Sequence, residues 1–150
     1  MPFGPPFVEA VPTSVRLFGN TLLATCFTGF PFAPGLSEVR RVEFDNGQST
    51  LFRGGLTSAI DILPVIMPHN QQMLYVVEFS TNMLAQTPGR LLLKTPETDI
   101  VVANNLISPT SIARDGDTGD LYITEIFPGL IVRIPGDELP PVVREMKTAK

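Results

Sequence analysis

Three strand-like runs recur in one order along the chain. Residues 73–80 (Met-Leu-Tyr-Val-Val-Glu-Phe-Ser) are echoed by 22–27 (Leu-Leu-Ala-Thr-Cys-Phe) before them and by 121–126 (Leu-Tyr-Ile-Thr-Glu-Ile) after them. Leu22, Leu74 and Leu121 stand 52 and 47 positions apart. Self-similarity at this period marks repeat architectures such as propellers, in which each unit is a small sheet that buries its faces against its neighbours. Three copies of one strand imply three copies of one unit.

The stretches between these runs supply the remaining strands. The first unit reads as strands at 13–18, 22–27, 38–44 and 49–53, with Gly19-Asn20 and Asp45-Asn-Gly47 at the hairpin turns. Asn-Gly provides the two positive φ angles of a type I′ turn, so 38–44 and 49–53 are expected to be antiparallel neighbours. The second unit repeats the order at 59–63, 74–79, 90–94 and 99–103, with a long loop from Pro64 to Gln72. The third runs through 110–114, 121–126 and 130–134 to a Pro-rich finish at 142–144. Each unit opens on a related phrase, at 11–15, 56–60 and 108–112. A four-stranded unit that recurs with length changes confined to loops is a propeller blade, whereas a sandwich alternates without repeating. The expected fold is all-β, with three four-stranded antiparallel blades at about 12–55, 56–106 and 107–145, half of a six-bladed ring. Residues 7–11, ending at Pro12, read as a lone strand from a preceding or partner blade.

Composition agrees. The chain has 150 residues, 43% of them hydrophobic, enough for one domain, and its 15 Pro and 12 Gly punctuate short apolar runs as turns punctuate β proteins. No stretch reads as a helix. A net charge of −4 with scattered Lys and Arg gives no footprint for nucleic acid, and no apolar run approaches the ~20 residues that span a bilayer. The N-terminus has neither the charged nor the apolar region of a signal peptide. Cys26 is the sole cysteine, which excludes an internal disulfide; its place in a strand-like run suits a small buried apolar residue better than a nucleophile.

Residues 7–15 (Phe-Val-Glu-Ala-Val-Pro-Thr-Ser-Val), 28–32 (Thr-Gly-Phe-Pro-Phe), 55–61 (Gly-Leu-Thr-Ser-Ala-Ile-Asp) and 74–80 together resemble the ScyD/ScyE family, a relative of the NHL-type and lactonase-like β-propellers. The likeness runs from about Pro5 to Ile134 and covers the C-terminal half of such proteins, whose members carry further blades ahead of these phrases. It departs at Cys26, where the family's strand usually ends in Glu, and at residues 18–21, a shortened form of the family's Gly-Pro-Asp-Gly turn. The resemblance implies a bladed fold and an extracytoplasmic setting. It assigns no reaction.

Three blades do not close a ring, since closed propellers hold about four to eight. Two copies would make a six-bladed ring; a separate polypeptide carrying the other half is the alternative. Glu78 and Glu125 take the same place in successive second strands. In lactonase-like propellers a hard cation sits in the central channel on carboxylate and amide oxygens, a setting suited to Ca²⁺ or another divalent ion. By that likeness Glu78, Glu125 and Asp61 are candidate ligands, with Asn104 or Asn105 beside them; equally, the glutamates cap loops or pair with Arg16, Arg90 or Arg133. Residues 115–120 begin like a calcium loop, but Ile126 stands where the bidentate Glu belongs, so they read as a hairpin turn. His69, the lone imidazole, lies in the long loop and is a candidate ligand- or partner-contacting residue; a loop histidine can serve as a general base, but no Gly-x-Ser-x-Gly elbow partners it, and an exposed loop residue is the other reading. The loop 28–35 holds Phe30, Pro31 and Phe32 between prolines and either grips a ligand or partner or closes over its own blade. Two functions follow: a propeller binding module, or a metal-dependent hydrolase or isomerase of the lactonase-like kind.

Overall fold

A computed structural model describes residues 9–66 and 71–144. The chain is all-β, built as three antiparallel sheets of four, four and three strands. Sheet 1 holds β1 (Ala10–Phe18), β2 (Thr21–Thr28), β3 (Ser37–Glu43) and β4 (Ser49–Leu56) in sequential order. Sheet 2 holds β5 (Ala59–Ile66), β6 (Gln72–Glu78), β7 (Gly89–Lys94) and β8 (Asp99–Leu106) in the same order, and sheet 3 holds β9 (Pro109–Arg114), β10 (Leu121–Glu125) and β11 (Leu130–Ile134). A single helical turn, α1 (Pro141–Arg144), follows.

Sheet 2 is packed on both faces, which explains why β6 is an almost unbroken apolar run rather than an alternating one. Leu74 and Val76 join Leu23, Val39, Ile62 and Leu92 in the cluster between sheets 1 and 2. Tyr75 and Val77, pointing the other way as strand geometry requires, join Leu91, Leu93, Ile112, Leu121 and Ile123 in the cluster toward sheet 3. The first strands lie side by side, β1 against β5 and β5 against β9.

The three sheets share their irregularities as well as their order. A register shift separates Pro12 from Ser14 in β1, Ala59 from Asp61 in β5, and Thr124 from Glu125 opposite Pro109 in β9. A paired shift breaks β3–β4 at Ser37/Val39 and Val39/Arg40, and another breaks β7–β8 at Gly89/Leu91 and Leu91/Leu92. Positive φ values recur 50 residues apart, at Gly55 and Asn105 and again at Ser58 and Ser108. Superposed by these bulges, residues 11–15 and 108–112 match as the sequence suggests, but their counterpart in the second sheet is 58–62, two residues later than 56–60. The Thr-Ser pair at 57–58 imitates the one at 13–14 while occupying the link between sheets.

Several expectations are corrected. The third sheet has three strands, and Val142 and Arg144 belong to α1 instead of a fourth strand. Pro141 takes the first helical position, where a missing N–H costs nothing, and the Val143 amide donates to the Pro140 carbonyl at 2.9 Å. Leu139 and Val143 then sink into the cluster shared by sheets 2 and 3. Ala10 and Val11 are no separate strand: they pair with Thr28 and Phe27 as the start of β1, while Phe7 and Val8 lie outside the described residues. β1 runs through Pro12 and β5 through Pro64 because, among the described residues, each pairs on one side alone, and proline is tolerated at such edges. The loop after β5 is accordingly shorter than Pro64 to Gln72. The Asn46-Gly47 turn is not type I′. Gly47 alone takes positive φ, in a four-residue loop closed by Glu43 N to Gln48 O and Gly47 N to Glu43 O, each 3.0 Å. Asn46 instead uses its side chain, accepting from the Gln48 amide at 2.8 Å.

Candidate functional site

Asp61 sits where the first strands of all three sheets meet. Its buried carboxylate accepts from Arg16 Nη2 of β1 at 2.5 Å, from Ser111 Oγ and the Ile112 amide of β9 at 3.0 Å each, and from the Ile62 amide at 2.8 Å. Arg16 also donates through Nε to the Ile62 carbonyl at 2.9 Å. One acidic side chain therefore fastens β1, β5 and β9 together. Four donors on two oxygens leave little lone-pair capacity for an ion.

Glu78 and Glu125 have equivalent work at successive links between sheets. Glu78 Oε1 accepts from the Thr57 amide at 2.8 Å, and Glu125 Oε1 accepts from the Ile107 amide at 2.5 Å. Each amide belongs to the two-residue turn that carries the chain from one sheet to the next, where no ladder partner is available and a buried N–H without an acceptor is costly. The second Glu78 oxygen takes Arg90 Nε at 2.6 Å. Both glutamates are buried, and each commits one oxygen to a backbone amide of the link beside it. Among the described residues, no group of three or more His, Cys, Asp or Glu side chains is placed to hold a metal ion. Asn104 and Asn105 precede Leu106, the last residue of β8, and Asn105 takes a positive φ.

Cys26 occupies the position of these glutamates in the first sheet and is buried, with its thiol pushed up by desolvation and, secondarily, by Glu38. A thiol so held is a poor nucleophile. The turn at 115–120 closes its hairpin from within. Asp115 accepts from the Asp117 and Thr118 amides at 2.7 and 3.0 Å, and those amides hold its carboxyl below the usual range. Asp120 is likewise lowered, first by the Gly136 amide at 2.8 Å and then by Arg133 Nε at 2.7 Å.

The aromatic loop is shaped by local constraints. A cis peptide joins Phe30 to Pro31, Phe32 takes a φ of 56°, and the Phe32 amide donates to the Gly29 carbonyl at 2.8 Å. Phe32 contacts Phe27 and Phe30 edge-on, at centroid distances of 6.3 and 6.1 Å, while Phe30 is left 75% exposed. The Gly35 amide donates to Thr57 Oγ1 at 3.0 Å, tying this loop to the link between sheets 1 and 2. Pro31, Phe32, Ala33 and Pro34 face Asn82, Leu84 and Ala85 across a groove of about 550 Å³. His69 lies outside the described residues.

Sequence reasoning missed Arg16 and Ser111 as partners of Asp61, 45 and 50 residues away. The offset of 50 that relates Asp61 to Ser111 emerges when the units are aligned by their bulges, which the Thr-Ser phrases of the sequence conceal. Sequence reasoning also missed Tyr75, whose buried hydroxyl finds no hydrogen-bond partner among the described residues and whose phenol is pushed up to about 12 by burial, against a smaller opposing effect of Arg114. Compared with known proteins, the chain matches no family model and no curated sequence.

Proposed function

We propose that this chain is an arc of three consecutive β-propeller blades and serves as an interaction module that a second copy completes into a six-bladed ring. The common strand order, the shared bulges and the side-by-side first strands support the bladed reading. The third blade lacks a fourth strand among the described residues. The resemblance to the ScyD/ScyE family, whose members carry additional blades, points the same way.

One observation carries the association. Aligned by the bulges, Val15 and Leu17 of β1 occupy the positions of Ile62 and Pro64 in β5. Ile62 is fully buried against sheet 1, whereas Val15 is 56% and Leu17 74% exposed. The first sheet thus presents to solvent the face that the second sheet hides. A two-fold arrangement of two arcs gives each end a neighbour and reaches a blade number at which propellers close. A separate half-propeller chain would serve the same purpose.

The mass in solution tests this reading. Light scattering should give twice the 16.3 kDa of the chain, and Leu17→Arg should return it to a folded monomer. A wild-type monomer at micromolar concentration, with no second chain bound, sinks the proposal. The reading as a metal-dependent hydrolase or isomerase draws no support from Asp61 and Glu78, whose oxygens are engaged as described, or from Glu125, which holds the Ile107 amide.

A further inference from the structure

We infer that the end of the molecule bearing the β2–β3, β6–β7 and β10–β11 loops docks on a neutral lipid surface. Five connections gather there: residues 29–36, 57–58, 79–88, 107–108 and 126–129. Hydrogen bonds join the first three, from Gly35 to Thr57 and from the Phe79 amide to the Ser58 carbonyl at 2.9 Å, and the last two, from the Ile126 amide to the Ser108 carbonyl at 3.2 Å.

None of these residues is Asp, Glu, Lys or Arg, although 17% of the chain is charged. Glu9, packed beside Gly29, stands at the rim together with two half-buried charges one residue inside the strand ends, Glu38, paired with Arg40, and Arg90, paired with Glu78. The opposite end, by contrast, carries Asp45, Glu97, Asp115, Asp117 and Asp120 in its turns. The uncharged end also exposes its largest apolar side chains at loop tips: Phe30 at 75%, Leu84 at 66%, Phe127 at 78% and Ile126 at 60%. Between the tips run the groove at Phe32 and Leu84 and a second of about 540 Å³ at Phe79, Met83 and Phe127.

Charge selects the occupant. Protruding aromatic and aliphatic tips enter the headgroup boundary when no fixed charge must be desolvated with them. An anionic membrane is disfavoured, because the chain carries −4, the five connections hold no Lys or Arg, and the guanidinium at the rim, Arg90, is neutralised by Glu78. A zwitterionic bilayer fits both conditions. The inference does not depend on ring closure, since one arc carries the whole surface.

Sedimentation of the full chain with phosphatidylcholine vesicles tests it, whatever the protein's mass in solution. The chain should pellet equally at about 0.1 and about 0.5 M salt, because no screened attraction is involved. The triple variant Phe30→Ser, Leu84→Ser, Phe127→Ser should lose about a hundredfold in partitioning, given the apolar area removed from the contact. Ile131→Ser, at an exposed site in β11, should partition as wild type. Should the triple variant melt early, Phe127→Ser alone should still lose several-fold. Absence of wild-type binding, binding that requires phosphatidylserine or vanishes in salt, or equal loss in Ile131→Ser would each overturn the inference.

Discussion

Asp61→Ala removes the one carboxylate on which β1, β5 and β9 converge. Breaking a buried charge pair by deleting one partner costs about 3–5 kcal/mol. The Arg16 side chain is 34% exposed, so water recovers part of its solvation and the ionic share falls to about 2–3 kcal/mol. The Ile112 amide and Ser111 hydroxyl lose their acceptor as well, adding about 1 kcal/mol. The sum is about 3–4 kcal/mol, or a fall in Tm of about 6–15 °C for a chain of this size. Urea and thermal melts measure it, and Asp61→Asn, which keeps one acceptor, should lose about half as much. A double-mutant cycle with Arg16→Met should show coupling above about 1 kcal/mol. Were Asp61 instead an ion ligand, wild type and Asp61→Ala would melt alike in chelator and separate when calcium is added. A cost below about 1 kcal/mol in chelator refutes the fastening role.

Tyr75→Phe should be neutral or stabilising by about 1 kcal/mol, because the hydroxyl it deletes is buried without a partner among the described residues. The phenol ionises near 10 in the unfolded chain and about 12 in the folded one, so the folded state holds its proton longer. Wild-type stability should therefore be constant with respect to this group below pH 10 and decline from 10 to 12; Tyr75→Phe should lack that decline in alkaline melts. Gly89→Ala should destabilise by at least about 3 kcal/mol, since an added Cβ would lie 2.3 Å from the Glu78 carbonyl oxygen and 2.7 Å from Pro109 Cδ; a wild-type urea midpoint would count against it. Adding Ca²⁺ or Mn²⁺ should leave the melting temperature unchanged; a saturable rise would restore the carboxylates as ligands.

The middle strands were readable because Val, Ile, Leu and Tyr dominate runs that must be buried on both faces, as at Leu74–Val77. Their common order was readable for the same reason. The last strand of the third unit was misread because Val142 and Val143 look strand-like, while the two prolines before them favour a helical turn. The lone strand was misread because Pro12 looks like a terminator, and a proline's meaning depends on whether its strand has a neighbour on the amide side. The roles of Asp61, Glu78 and Glu125 lay further out of reach. An aspartate whose partners stand 45 and 50 residues off gives no local signal, and a glutamate that recurs by unit reads alike whether it binds an ion or satisfies a backbone amide.

The matched links at 57–58 and 107–108 make the chain extensible. Each follows a buried leucine, Leu56 or Leu106, is preceded by a left-handed residue, ends on a left-handed serine and is held by the glutamate of the sheet it enters. A duplicate of residues 57–106 spliced after Leu106 would meet its own native backbone geometry at both joins. Such a molecule can grow or shrink by whole sheets, so that the number of sheets is set by duplication and deletion rather than by redesign of the ends.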